Sequence, residues 1–225
     1  MNDANLAGTY YRCRFEKCGP IRFISHLDLT RAFHRAFLRA DLPLKFSEGF
    51  SPHPKFSFAL PLSVGTESVA EVADFTLKAG FEATEEEIKN RLQAEMPAGI
   101  RILSVGPQED KFSQIAFASY RIFLPGMKKE AIFAAEKALA GSLVITKKNK
   151  KGKLVEKDIS DGIHSLSFQP WEDGVVLNAT LAASGEHYLK PELVLTALAE
   201  KLPCEDFTEK RILRTGIMRS DLTPF

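Results

Sequence analysis

At 225 residues and 25.0 kDa, with 44% hydrophobic, 26% charged and 10% aromatic residues, the chain has the composition of a folded globular protein, not of a disordered or fibrous one. Thirty Lys+Arg stand against 29 Asp+Glu for a formal charge of +1, so the whole-chain total points to neither a nucleic acid nor a membrane. No apolar run approaches the roughly 18 residues of a membrane helix, and the first residues have neither a basic nor an apolar leader region.

Tyr10 to Phe15 reads as a strand ending at the Cys18-Gly19-Pro20 turn. Ser25 then predicts an N-cap, with Asp28 three residues on, for a helix whose Leu29, Phe33, Ala36, Phe37 and Ala40 recur at helical spacing until Pro43. Leu44 to Ser47 reads as a short strand, and Gly49 to Pro54 as a loop restricted by Pro52 and Pro54. Lys55 to Leu60 alternates, with Phe56, Phe58 and Leu60 on one side, as a half-buried strand does. A strand over Glu71 to Lys78, a helix capped by Thr84 that opens with three glutamates and runs to Met96, and a strand over Ile100 to Val105 complete a β-α-β-β-α-β order.

That order returns. Ile115 to Leu124 predicts a strand, Lys128 to Ala140 a helix, and Leu143 to Lys147 with Leu154 to Asp158 a hairpin inserted around a basic tip, Lys148 to Lys153. Strands near His164 to Phe168 and Val175 to Ala182, a helix over Pro191 to Lys201 and a strand over Lys210 to Met218 follow. Tyr11-Arg12 recurs as Tyr120-Arg121, and Arg101 to Gly106 recurs as Arg211 to Gly216, at nearly the same offset. We therefore read the fold class as α+β, with two tandem ferredoxin-like domains, residues 1–107 and 112–225, arising by internal duplication.

Cys13, Cys18 and Cys204 form an odd, scattered set, which argues for a reducing, cytoplasmic address and against a disulfide framework; their spacing closes no tetrahedral metal site. The neutral total hides strong polarity. Residues 1–60 hold nine basic and five acidic residues, a net of +4, and residues 61–110 hold four and ten, a net of −6. Arg31, Arg35 and Arg39 make one stripe on the first helix, a repulsive arrangement that phosphates would relieve and that acids from 61–110 would also pair. His34, beside the stripe, reads as a surface residue.

The runs Gly19 to Leu29, with its Ser25-His26-Leu27-Asp28-Leu29, and Ser47 to Leu62, with its Gly49-Phe50-Ser51-Pro52-His53-Pro54-Lys55, resemble the bacterial radical-SAM-linked protein family. That family is a domain of unknown function, fused C-terminal to a cobalamin-binding radical SAM enzyme or encoded beside it, often near ribonuclease G. The resemblance is close over residues 10–106, and Arg214-Thr215-Gly216 looks like the family's closing strand. It implies a radical SAM/cobalamin-binding partner in trans, which would hold the iron–sulfur cluster, S-adenosylmethionine and cobalamin, with no cofactor in this chain. The expected function is that of a non-catalytic accessory module in RNA modification, presenting tRNA or rRNA to that enzyme.

The residues expected to bind are Arg22, His26, Arg31, Arg35, Arg39, Ser51, His53 and Lys55. The helix N-terminus at His26 disfavours protonation of its ring and offers N–H groups to an anion. His53, between two prolines, presents its ring in few orientations. Two alternatives stay open: a metal-independent RNA endonuclease using His26 or His53 for proton transfer, and a subunit that binds only protein.

Overall fold

A computed structural model describes residues 8–148, 152–185, 187–203, 205 and 207–225. The fold is mixed α+β, and the chain divides into two compact units, Met1–Phe112 and Ser113–Phe225. Among the described residues no helix is long and apolar enough to cross a membrane.

The first unit runs β1 (Thr9–Lys17), α1 (His26–Arg39), β2 (Phe56–Phe58), β3 (Thr66–Leu77), α2 (Glu85–Ala94) and β4 (Ile100–Pro107). Its strands lie in the order β4-β1-β3-β2, every neighbour antiparallel. Both helices start where local chemistry dictates. The Asp28 amide donates to Ser25 Oγ at 3.1 Å, and the Glu87 amide donates to Thr84 Oγ1 at 3.2 Å while Glu87 Oε2 accepts the Thr84 amide at 2.7 Å, so orphan N–H groups are satisfied before any tertiary contact forms. Hydrogen bonding to Thr84 holds the Glu87 carboxyl below its ordinary range.

Alternation along β1 and β3 sends Cys13, Phe15, Ala73, Phe75 and Leu77 into one core with Leu29, Phe33 and Phe37 of α1 and Ile88 and Leu92 of α2. Phe56 and Phe58 of β2 pack against it. Cys13 is therefore a core residue whose thiol burial pushes well above its ordinary pKa, the opposite of what a thiolate ligand requires. The Cys18 thiol lies 3.5 Å from the Ser68 carbonyl. Cys204 lies outside the described residues.

Several strands differ from the sequence reading: β2 is shorter than Lys55 to Leu60, the strand near His164 to Phe168 runs on to Trp171, and two more differ in kind or start. Leu44 to Ser47 forms no strand; it makes isolated bridges, Leu44 to Leu77 and Phe46 to Pro54, and Pro43, which accepts from the Lys78 amide, has no N–H to return the bond and extend a ladder. Strand β3 begins at Thr66 rather than Glu71. The acids Glu67 and Glu71 of this strand are both 2% exposed, and Glu67 Oε1 accepts the Gly19 amide at 2.7 Å.

The second unit repeats the order with an insertion: β5 (Phe117–Leu124), α3 (Ile132–Leu139), a separate hairpin β6 (Val144–Lys148) and β7 (Leu154–Asp158), then β8 (Ile163–Trp171), β9 (Gly174–Ala182), α4 (Pro191–Lys201) and β10 (Arg211–Met218). The tip of the inserted hairpin, residues 149–151, lies outside the described residues. The main sheet runs β10-β5-β9-β8, again antiparallel throughout. Ala118, Tyr120, Ile122 and Leu124 of β5 form its buried side. Arg214 of the closing strand is fully buried, with its guanidinium 3.4 Å from the Tyr120 hydroxyl and 3.3 Å from that of Tyr188.

Candidate functional site

Helix α1 buries Leu29, Phe33, Ala36 and Phe37 and turns its other sides outward. Its two histidines, His26 and His34, lie two turns apart and flank β2: His26 meets the Phe58 ring edge-on at 5.3 Å and His34 meets Phe56 at 5.6 Å. Phe56 and Phe58 are themselves packed on Phe33, each at 5.3 Å, so they belong to the core and are not a stacking surface for bases. The arginine stripe is partly neutralised from within. Arg31 pairs with Asp28 at 3.2 Å, and Arg39 holds the Glu95 carboxylate at 2.7 Å and its carbonyl at 2.6 Å, a partner drawn from the acidic 61–110 segment. Arg35 is exposed and meets no polar partner among the described residues.

The helix is capped at Ala40 and followed by Asp41, whose φ of 53° places it in the left-handed region, and the Leu42 amide reaches back to the Phe37 carbonyl at 2.9 Å. The following loop closes on itself. The Ser47 amide donates to the His53 carbonyl at 2.8 Å, the His53 amide to Ser47 Oγ at 3.0 Å, and the Lys55 amide to the Lys45 carbonyl at 2.7 Å. This rigid base presents Glu48 to His53 as an exposed tip in which Gly49 has a φ of +121° and the Phe50 side chain is bare to solvent. Ser51 and the His53 ring are exposed there. The imidazoles of His26 and His53 make no hydrogen bond among the described residues, so nothing links them as an acid/base pair.

Between the end of α1 and the loop base lies a groove of about 490 Å³, walled by Phe37, Leu38, Leu42, Leu44, Phe46 and Pro54, with His34 and Lys78 also in its lining. Leu38 is 81% exposed and Phe46 46%. The sequence reading placed His34 on the surface; it is half-buried in this lining, its Nε2 is buried with no hydrogen-bond partner among the described residues, and burial lowers its pKa. Leu38 could have been found earlier, as a large apolar residue on the polar flank of an amphipathic helix.

His34 gives the groove a pH signature. Its folded pKa lies below the ordinary 6.5, so between those values the unfolded chain binds more protons and stability rises with pH. Urea midpoints should therefore fall as pH drops from 7.5 to 5.5, and His34→Gln should flatten part of that slope; an unchanged slope would show that the ring titrates freely.

The remaining candidates stand apart. Lys55 lines a different depression of about 420 Å³, in which Ser57, Thr76, Gln108 and Lys111 mix with Phe75 and Phe112. Arg12 and Asp74 lie beside it, joined at 2.8 and 2.9 Å, with Gln108 Nε2 also donating to Asp74 at 2.8 Å. Arg22 stacks over Phe23 at 4.7 Å and reaches Glu67 at 3.4 Å, a side chain only 3% exposed. The structure thus gathers His34 and the loop base at the groove, leaves His26 at the far end of β2, and commits Arg22 and Lys55 to other surroundings.

A family model described as an uncharacterized protein conserved in bacteria (DUF2344) matches residues 10–191. No curated protein matches. Among solved structures, one described as an unknown protein from Galdieria sulphuraria is 13% identical over 92% of this chain and 98% of its own, with a TM-score of 0.23, a likeness too slight to inform either fold or function.

Proposed function

The chain belongs to DUF2344, a family of proteins conserved in bacteria, and from that premise we propose that it is a non-catalytic binding module that docks a protein partner through the groove between α1 and the Ser47–Lys55 loop. The observation that carries this reading is the groove itself: an apolar concavity with Leu38 and Phe46 exposed at its walls, beside a loop that holds Phe50 in solvent. Two of the three stripe arginines already have counter-charges, which suits a protein surface better than a phosphate backbone.

The partner in this proposal is the cobalamin-binding radical SAM enzyme that the Ser25 to Leu29 and Gly49 to Lys55 motifs imply, and it supplies the cluster, S-adenosylmethionine and cobalamin. The same reading takes the two units as tandem ferredoxin-like domains. What supports this is that each has two helices and a four-stranded antiparallel sheet in which its first and third strands are central.

The test is direct binding of the full chain to a purified cobalamin-binding radical SAM protein, by calorimetry. Leu38→Asp, on an exposed side chain that the fold does not need, should weaken the complex at least about tenfold. Full affinity in that variant would remove the groove as the contact. Failure of the unmodified chain to bind would remove the partner.

A further inference from the structure

The two units differ at one duplicated cross-strand position, and from that difference we infer a second binding site: the face of the second unit's sheet that carries Arg121, Phe123 and Trp171 takes single-stranded nucleic acid. In the first unit Arg12 lies opposite Asp74 across β1 and β3, and the carboxylate neutralises it through two hydrogen bonds. The repeat counterpart of Arg12 is Arg121, and the residue opposite it across β5 and β9 is Asn178. An amide carries no charge. Arg121 is exposed and meets no carboxylate among the described residues, so the guanidinium that the first unit uses for folding is left available in the second.

Its surroundings suit bases as well as phosphates. Phe117, Ser119, Arg121 and Phe123 alternate along β5 and share the face opposite the buried side. Phe123 meets Trp171 edge-on at 5.2 Å, and Arg121 and Arg211 lie over its ring at 5.4 and 5.5 Å. At the other end of β5 Phe117 pairs with His164 at 5.0 Å. The two aromatic groups are six residues apart, about 20 Å along the strand, enough for a few nucleotides. Between them β8 and β9 supply uncharged hydrogen-bonding groups, the exposed Ser167 and Gln169 and the half-buried Asn178 and Thr180.

A depression of about 410 Å³ beside Phe123 and Trp171 is edged by Lys210 and Arg211. Glu209 is in the same lining, and Glu172 and Asp173 follow Trp171 in the turn; these acids moderate the positive field. Rings with neighbouring guanidinium groups on one face of a sheet favour unstacked bases, which a duplex hides.

Trp171 is the chain's only tryptophan, so it reports on the site. Titrating the full chain with a short mixed-sequence oligoribonucleotide at low salt should quench its fluorescence saturably, and added salt should weaken binding. Arg121→Glu and Phe123→Ala should each raise the Kd at least about tenfold, measured by anisotropy of the labelled strand. Asn178→Asp, which rebuilds the ion pair of the first unit, should do the same without touching a ring. Leu38→Asp should leave this binding unchanged, which separates the site from the groove. Equal binding of the matching deoxyribonucleotide assigns the face to single strands in general, and a ribose preference assigns it to RNA. The inference is overturned if no strand quenches Trp171, if Arg121→Glu binds normally, if a duplex binds as tightly, or if polyglutamate displaces the strand at equal charge.

Discussion

Asp74→Ala lowers the stability of the full chain by about 3–5 kcal/mol, the cost of stranding a buried cation. Arg12 is 7% exposed and Asp74 8%, and the carboxylate takes two guanidinium bonds together with the Gln108 amide. Removing it takes away the carboxylate held by the two guanidinium bonds, while contacts such as the Asp110 carbonyl at 2.6 Å and the Phe112 ring at 5.2 Å carry no full counter-charge. The double replacement Arg12→Met with Asp74→Leu removes both charges together and should recover most of the loss, because much of the single-mutant penalty is an unpaired charge. Urea unfolding followed by far-ultraviolet circular dichroism measures both. A loss below about 1 kcal/mol for Asp74→Ala would mean that the pair behaves like an exposed one.

Phe33→Ala should cost a comparable amount, about 3–5 kcal/mol, since it opens a cavity at the centre of the first unit. Phe33 is fully buried, 4.9 Å from the Phe15 ring and 5.3 Å from those of Phe56 and Phe58. The consequence extends to the groove. Phe56 and Phe58 are held between Phe33 and the two α1 histidines, so the truncation should also weaken partner binding, whereas Phe33→Leu should cost about 1–2 kcal/mol and preserve it. Equal loss of affinity in both variants would show that the ring itself, rather than the filled volume, positions the groove.

Particular residues explain what could be read early. Helices α1 and α2 were legible because their start signals are local: Ser25 with Asp28, and Thr84 with Glu87, satisfy amides within one turn. The paired strands of the inserted hairpin were legible for the same reason, from turn residues between two short runs. The early part of β3, Thr66 to Ala70, was not, because the polar run Thr66-Glu67-Ser68 shows no apolar alternation and its burial is made by tertiary contacts. The candidate site was legible only as a set of motifs. His53 and Lys55 are two residues apart, yet one belongs to the exposed loop and the other lines a separate depression, a division made when the chain passes from the loop into β2.

By itself the sequence determined where α1, α2 and α4 begin, though not α3, which starts at Ile132 after a 3-10 turn and not at Lys128, and it determined which strand residues alternate and that an arginine recurs at Arg12 and Arg121. What each arginine faces was decided only by the tertiary structure. Cross-strand register joins residues far apart in the chain and follows from burying one whole face of a sheet, so no local pattern around either arginine reveals its partner. That register sets Asp74 opposite Arg12 and Asn178 opposite Arg121. The same residue thereby closes an ion pair in one unit and stands open to a ligand in the other.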